Sequence, residues 1–116
     1  MLMKIWLYIG LQKKNKMKYN KLVRDKIPEI IKRSGRNPLT HIADDTEFYE
    51  KLKLKLKEEV SEFLNNSNEE ELVDILEVID SICKFKKINK KDLQIIKEKK
   101  AEEKGLFDKR IILEED

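Results

Sequence analysis

Apolar residues recur along most of this chain at steps of three and four, which is the spacing of one face of an α-helix. A first helix is predicted from Leu22 to a stop at Gly35. A second begins at Asp44 and Glu47, which are spaced as a capping box, and ends at the asparagine-rich residues 65–68. The residues between these helices are polar and contain a proline, so they are predicted to form a loop.

Two further helices follow in the second half of the chain. One runs from about Glu69 to Phe85 with a broad apolar face, and another has Asn89 as its N-cap and ends at Gly105. The chain contains only three Gly and two Pro, and Lys, Glu, Leu and Ile are common. This composition favours helices over a β-sandwich or barrel, so the predicted fold class is all-α with four helices.

The length of the chain, 116 residues, corresponds to one domain, which we place at residues 17–116. Residues 1–16 differ in composition, because an apolar patch runs into a lysine tract there. They form either an upstream extension or a short element packed on the domain. Apolar residues make up 40% of the chain, which is enough for a small core only, so we expect oligomerisation.

Several classes of protein are excluded by simple counts. One cysteine and one histidine cannot build a disulfide scaffold, a zinc finger or a His-based catalytic triad. The longest apolar run, residues 5–11, is far shorter than the roughly 20 residues of a membrane-spanning helix. No small-residue cleavage site follows this run, which argues against a signal peptide. We therefore expect a cytoplasmic protein with no membrane partner.

The second helix carries carboxylates on its apolar face. At about 100° per residue, Glu59 lies inside the apolar stripe and Glu62 lies about 60° away at its margin. Glu58 is about 100° away, and we expect it to face solvent or a neighbouring chain. The stripe consists of Phe48, Leu52, Leu56, Val60 and Phe63. Glu59 and Glu62 are three residues apart and can share a ligand.

The third helix repeats this arrangement. Glu71 falls within its apolar arc and Asp74 lies at the edge of that arc. Glu77 and Asp80 lie about 60° and about 120° beyond the arc, so they are weaker candidates. Two helices joined by a short polar loop are expected to pack antiparallel. Four carboxylates should therefore converge on the buried face.

Ionised carboxylates in an apolar site are costly unless they protonate or bind a cation. Mg²⁺ takes oxygen ligands and keeps several waters, which leaves room for a phosphate substrate. We therefore predict a Mg²⁺ site, with Mn²⁺ as a substitute, formed by two acidic pairs: Glu59 with Glu62, and Glu71 with Asp74. The alternative is that these acids form ordinary helix ion pairs with Lys53, Lys55 or Lys57.

The two acidic pairs resemble those of the MazG-like and phosphoribosyl-ATP pyrophosphohydrolase-like superfamily of all-α nucleotide pyrophosphohydrolases. Two flanking segments, YNKLVRDKIP at 19–28 and KAEEKGLFDKRI at 100–111, are similar to the ends of a small single-domain branch of that superfamily. The resemblance covers nearly the whole chain from residue 17. The spacing between the acidic pairs is shorter than in many MazG proteins, and Glu77 with Asp80 also satisfies the pattern.

The resemblance implies Mg²⁺-dependent cleavage of a nucleoside triphosphate between its α and β phosphates, which yields a nucleoside monophosphate and pyrophosphate. House-cleaning of non-canonical nucleotides is one form of that activity. The resemblance also implies a four-helix MazG-like bundle that is completed by assembly into a homodimer or homotetramer. The two acidic pairs would be the metal ligands, and the identity of the nucleotide stays open.

Such a reaction needs a base and a set of cations. A carboxylate that is not fully used in coordination can position or deprotonate the attacking water, and Glu58 is the candidate, with Glu62 as the rival. Cationic side chains would hold the leaving pyrophosphate. The candidates are Arg24, Lys26, Lys57, Lys109 and Arg110. The two arginines are favoured, because the chain has only four.

Two other function classes remain open. A small basic helical nucleic-acid-binding protein is suggested by the lysine-rich tracts at 13–18 and 84–91. The net charge of +3 is modest for that class, and no recognition motif is present. The other class is a non-catalytic interaction module that retains the fold. Intact acids at all four positions argue against it.

Overall fold

The computed structural model describes residues 18–116, so the predicted extension at residues 1–16 lies outside the described residues. Within the described part, the chain is all-helical, with four helices and no strand. The helices are α1 (Ile27–Arg33), α2 (Asp45–Asn66), α3 (Glu69–Phe85) and α4 (Lys90–Lys104). The prediction of an all-α chain with four helices is confirmed.

The described residues fall into two compact units, one ending at Ile82 and the other comprising Cys83–Asp116, and the boundary between them falls inside α3. The described part of the first unit contains α1, α2 and most of α3. The second unit contains the end of α3, α4 and the residues that follow α4. Both predicted acidic pairs therefore lie in the first unit.

Helix α1 begins at Ile27 rather than at Leu22, where the apolar pattern starts. The reason is Pro28, whose ring would clash with the carbonyl of Arg24 if the helix extended further back. The helix ends at Arg33, and Gly35 follows with a φ of +89°, a conformation that other residues rarely adopt. The predicted stop at Gly35 is confirmed.

Helices α2 and α3 are delimited by side-chain caps. The Asp44 side chain accepts a hydrogen bond of 2.9 Å from the backbone N–H of Glu47, as the predicted N-cap requires. Helix α2 ends at Asn66, and the C-cap residue Ser67 adopts the left-handed conformation. The Asn68 side chain then accepts a 3.1 Å hydrogen bond from the backbone N–H of Glu71, which caps α3. A connection of only two residues folds α2 and α3 into a helical hairpin.

Each helix of the first unit contributes a buried side chain to its apolar core. Ile31, Leu52 and Val78 are 6%, 1% and 7% exposed. Only part of the predicted apolar arc of α3 is buried. Leu72 and Leu76, which belong to that arc, remain 46% and 59% exposed. The hairpin buries one side of α3, and the other side of its apolar face stays accessible.

The second unit is built around α4. The Asn89 side chain accepts a 2.8 Å hydrogen bond from the backbone N–H of Lys91, so the predicted N-cap is formed. The helix ends before Gly105, which has a φ of +85°. Among the described residues, no helix combines the length and apolar character needed to cross a membrane.

Candidate metal centre

Three buried carboxylates meet where α2 and α3 face each other. Glu59 comes from α2, and Glu71 and Asp74 come from α3; one oxygen from each lies within 4.8 Å of the others. These residues are 2%, 4% and 4% exposed. We refer to Glu59, Glu71 and Asp74 as the acidic cluster. It contains three of the four predicted metal ligands.

The hairpin connection sets the position of the acidic cluster. Because Asn68 caps α3, Glu71 is the third residue of that helix, and its backbone N–H is bonded to the cap. The N-terminus of a helix carries partial positive charge, which stabilises a carboxylate in the first turn. Asp74 follows one turn later, and the buried Val78 follows Asp74 on the same face. The carboxylates therefore enter the interior together with the core residues of α3.

The fourth predicted ligand, Glu62, lies at the margin of this site. It is half-buried and lies outside the acidic cluster. The Asn66 amide nitrogen is 3.4 Å from an oxygen of Glu62 and 3.4 Å from an oxygen of Glu71, so it bridges the two with long, weak hydrogen bonds. Glu77 and Asp80 also lie outside the acidic cluster. Among the described acids of α3, Glu71 and Asp74 therefore belong to the acidic cluster, and the alternative pair, Glu77 and Asp80, does not.

Among the described residues, Arg24 and Lys55 form ion pairs with the acidic cluster. The Arg24 Nη2 atom lies 2.8 Å from Asp74 Oδ1, and the Lys55 Nζ atom lies 3.4 Å from Glu59 Oε1. The side chain of Lys55 is 14% exposed and that of Arg24 is 41% exposed. The expected pairing with a lysine of the second helix therefore does occur, at Lys55. Ion pairing and metal binding are compatible here only if the cations can share or release the carboxylates.

Glu58, which the helical wheel placed towards solvent or a neighbouring chain, is half-buried and shares Lys55 with Glu59 of the acidic cluster. Burial acts to raise the pKa of Glu58, but a 2.8 Å hydrogen bond from Lys21 and the charges of Lys55 and Lys21 outweigh burial, so the pKa is lowered. Lys21 was not predicted to take part. It lies 37 residues from Glu58 along the chain, and no periodicity connects residues so far apart.

An open groove of about 390 Å³ follows the adjoining face of α2. It brings together three of the predicted site residues, Lys57, Glu58 and Glu62, and its lining is completed by Leu54, Ser61 and Asn65. Both candidates for the base and one candidate for phosphate binding therefore share one surface.

The remaining predicted phosphate-binding residues are exposed. Lys26 is the residue immediately before α1. Lys109 and Arg110 lie in the second unit, where the backbone N–H of Arg110 donates a 3.1 Å hydrogen bond to the carbonyl of Phe107. Of the five predicted phosphate-binding residues, Arg24 forms an ion pair with the acidic cluster.

The donor set of the acidic cluster fits a hard divalent cation. All three groups offer carboxylate oxygens, which Mg²⁺ prefers, and three protein ligands leave positions for water and phosphate. With bonds of about 2.1 Å, opposite ligands of Mg²⁺ are about 4.2 Å apart. The spacing of up to 4.8 Å here is slightly wider, so side-chain adjustments of about half an ångström would complete the ligand set.

Comparisons with known proteins leave the function open. No protein-family model matches the chain. A segment of 41 residues, 35% of the chain, is 51% identical to an uncharacterized protein of Mycolicibacterium smegmatis and spans 42% of that protein's length. No solved structure matches the chain.

Proposed function

We propose that this protein is a Mg²⁺-dependent nucleoside triphosphate pyrophosphohydrolase of the MazG-like type. It would cleave its substrate between the α and β phosphates and release a nucleoside monophosphate and pyrophosphate. Non-canonical nucleotides are included among the candidate substrates. A nucleotide substrate and a single cysteine are typical of a cytoplasmic enzyme.

The observation that carries this proposal is the acidic cluster. Charged side chains are almost never fully buried unless they are paired or coordinate a metal, yet three carboxylates share one interior site within 4.8 Å. Packing alone would be better served by apolar residues at these positions, because a buried ion-pair network is weak as a source of stability. The free-energy cost of burying three carboxylates is better explained by binding of a metal ion that requires oxygen ligands.

The chemistry divides among a few side chains of this chain. A Mg²⁺ ion at the acidic cluster, when bound, neutralises phosphate oxygens and lowers the pKa of water. Glu62 at the margin accepts the proton of the water that attacks the α-phosphorus, and the bond from that phosphorus to the bridging oxygen breaks. Glu58, the other candidate for the base, already contacts Lys21 at 2.8 Å and Lys55 at 3.2 Å, so it would orient the water rather than take its proton.

The leaving pyrophosphate is held by cations. Lys57 lies in the groove with Glu58 and Glu62, and Arg24 reaches the acidic cluster. Lys26, which immediately precedes α1 in the same unit, would add to this set as a phosphate-binding residue of the proposal. Guanidinium groups suit this role, because they bind phosphate oxygens in a bidentate manner.

The accessible apolar face of the hairpin supports a MazG-like bundle completed by a homodimer or homotetramer. Leu72, Val73 and Leu76 of α3 are 46%, 57% and 59% exposed, and Leu64 near the end of α2 is 72% exposed. The three α3 residues lie within about 100° of one another around the helix, and an exposed apolar face of this kind is typical of a subunit interface. A symmetric contact between two copies would cover it on both at once.

The test is pyrophosphate release from a panel of canonical and damaged nucleoside triphosphates, with Mg²⁺ and with a chelator. We expect turnover by the wild type, loss of turnover with the chelator, and loss in the Glu59→Gln/Asp74→Asn double variant. A Glu50→Gln variant is the matched control, because Glu50 lies on α2 in an exposed pair with Lys53. Its activity should equal that of the wild type.

The two other function classes predict different results. A non-catalytic interaction module would release no pyrophosphate from any nucleotide, and its acidic cluster would serve only the ion pairs with Arg24 and Lys55. A nucleic-acid-binding protein would instead show affinity for DNA or RNA that falls steeply with salt and does not require a metal. Absence of release, followed by a salt titration with nucleic acid, separates these two from each other.

A further inference from the structure

Arg24 occupies an unusual position for a residue that is expected to bind substrate. Its Nη2 atom is 2.8 Å from Asp74, a residue 50 positions away whose side chain is only 5% exposed, while the Arg24 side chain itself is 41% exposed. The Arg24 carbonyl accepts a 3.0 Å hydrogen bond from the N–H of Ile27, which fixes its backbone in a turn before α1. The backbone is therefore held while the side chain can move.

A divalent cation and this guanidinium would compete for Asp74. An ion bound at about 2.1 Å from the contacted oxygen would lie within about 5 Å of Nη2, given the 2.8 Å contact. Two positive groups at that distance repel strongly when little water screens them. Lys55 differs, since it also contacts Glu58 at 3.2 Å and keeps that partner if Glu59 turns towards a metal.

We propose that Arg24 neutralises Asp74 in the metal-free protein, leaves it when a divalent cation binds, and then holds the phosphates of the nucleotide. This inference rests on the proposed function and assigns Arg24 two successive partners within it. The exchange couples metal binding to phosphate binding, because the Arg24 side chain is free to bind phosphate only after the metal has displaced it from Asp74.

Metal binding without nucleotide tests the exchange directly. We expect Arg24→Gln to bind Mn²⁺ at least tenfold more tightly than the wild type in a calorimetric or paramagnetic-resonance titration, because the competing charge is gone. Arg33→Gln is the matched control: it removes the same charge from an exposed pair with Glu29 on α1. Its affinity for Mn²⁺ should equal that of the wild type.

The outcomes separate this inference from the function on which it rests. Equal or weaker Mn²⁺ binding by Arg24→Gln, with clear binding by the wild type, would overturn the exchange and leave the proposed function intact. No Mn²⁺ binding by either protein would overturn both.

A second measurement does not depend on the folding of Arg24→Gln. The Arg24 side-chain N–H signal of the wild type, assigned by comparison with Arg24→Lys, should shift in nuclear magnetic resonance spectra when Mg²⁺ is added. A signal that stays unchanged while Mg²⁺ binds would overturn the exchange.

Discussion

Replacing Glu59 with glutamine is expected to change stability mainly when a divalent cation is bound. In a chelator, the variant loses both the repulsion between Glu59 and its two acidic neighbours and the attraction of Glu59 to Lys55 and Arg24. In excess Mg²⁺, the wild type gains the free energy of metal binding, and the variant has lost a ligand. A residue that served only as a structural partner would not show this dependence on the metal.

The magnitude follows from the distances in the acidic cluster. Two carboxylate oxygens 4.8 Å apart repel by about 3.5 kcal/mol at an effective dielectric constant of about 20. Two such neighbours give about 7 kcal/mol, and the attraction to Lys55 at 3.4 Å offsets about 5 kcal/mol of it. Arg24 lies 2.8 Å from Asp74 Oδ1, hence within about 7.6 Å of the Glu59 oxygen, and its attraction offsets about 2 kcal/mol more. The charge interactions of Glu59 therefore nearly cancel, and the variant should match the wild type to within about 1 kcal/mol in the chelator.

Mg²⁺ should separate the two proteins. At a free concentration of about 1,000 times Kd, a ligand stabilises the folded state by about 4 kcal/mol. The stability of the wild type should then exceed that of the variant by about 4 kcal/mol, because the variant gains little. Urea unfolding followed by circular dichroism, in chelator and in Mg²⁺, measures both differences. Glu50→Gln provides the control, because it makes the same change at an exposed position of the same helix.

One result would refute this reasoning. If Glu59→Gln is less stable than the wild type in the chelator, and Mg²⁺ changes the stability of neither protein, Glu59 is an ordinary partner of Lys55. The acidic cluster would then be an ion-pair network and no metal site.

Three further predictions concern the core, the pH dependence and the assembly. Leu52→Ala should cost about 2 to 5 kcal/mol in urea unfolding, because Leu52 is 1% exposed, whereas Leu54→Ala, at a 56% exposed position, should cost far less. The lowered pKa of Glu58 means that its ion pairs contribute stability above its ordinary pKa of 4.5, and that this contribution is lost as pH falls through the folded-state pKa. The stability difference between the wild type and Glu58→Gln should therefore shrink with acid; a constant difference would contradict it. Leu76→Glu should reduce the mass seen by light scattering to that of a monomer, and an unchanged mass would exclude this face as the interface.

The helices were predictable because their signals are local. Periodicity located α2 and α3, and the caps at Asp44 and Asn89 marked where helices begin. The start of α1 was placed too early, at Leu22, because apolar spacing was followed past the limit that Pro28 imposes. A capping spacing at Asn68 and Glu71 was present in the sequence and would have fixed the start of α3 as well.

The acidic cluster was only partly predictable. Helical positions and a short connection suffice to bring Glu59, Glu71 and Asp74 together. The contacts of Arg24 with Asp74 and of Lys21 with Glu58 join residues 50 and 37 positions apart, so they depend on how the segment before α1 packs on the hairpin. A single sequence contains no periodic signal for such contacts.

The two-residue connection between α2 and α3 makes chain length itself a component of the site. Asn68 caps α3 and so fixes where the helix begins. Each residue inserted after Asn68 would turn Glu71 and Asp74 by about 100° around the helix axis. Helix formation and the number of acids would be unchanged, yet the carboxylates would leave the interior. Insertions and deletions between Asn68 and Asp74 are therefore expected to abolish the site, whereas substitutions at exposed positions away from it, such as Glu50, are expected to be tolerated.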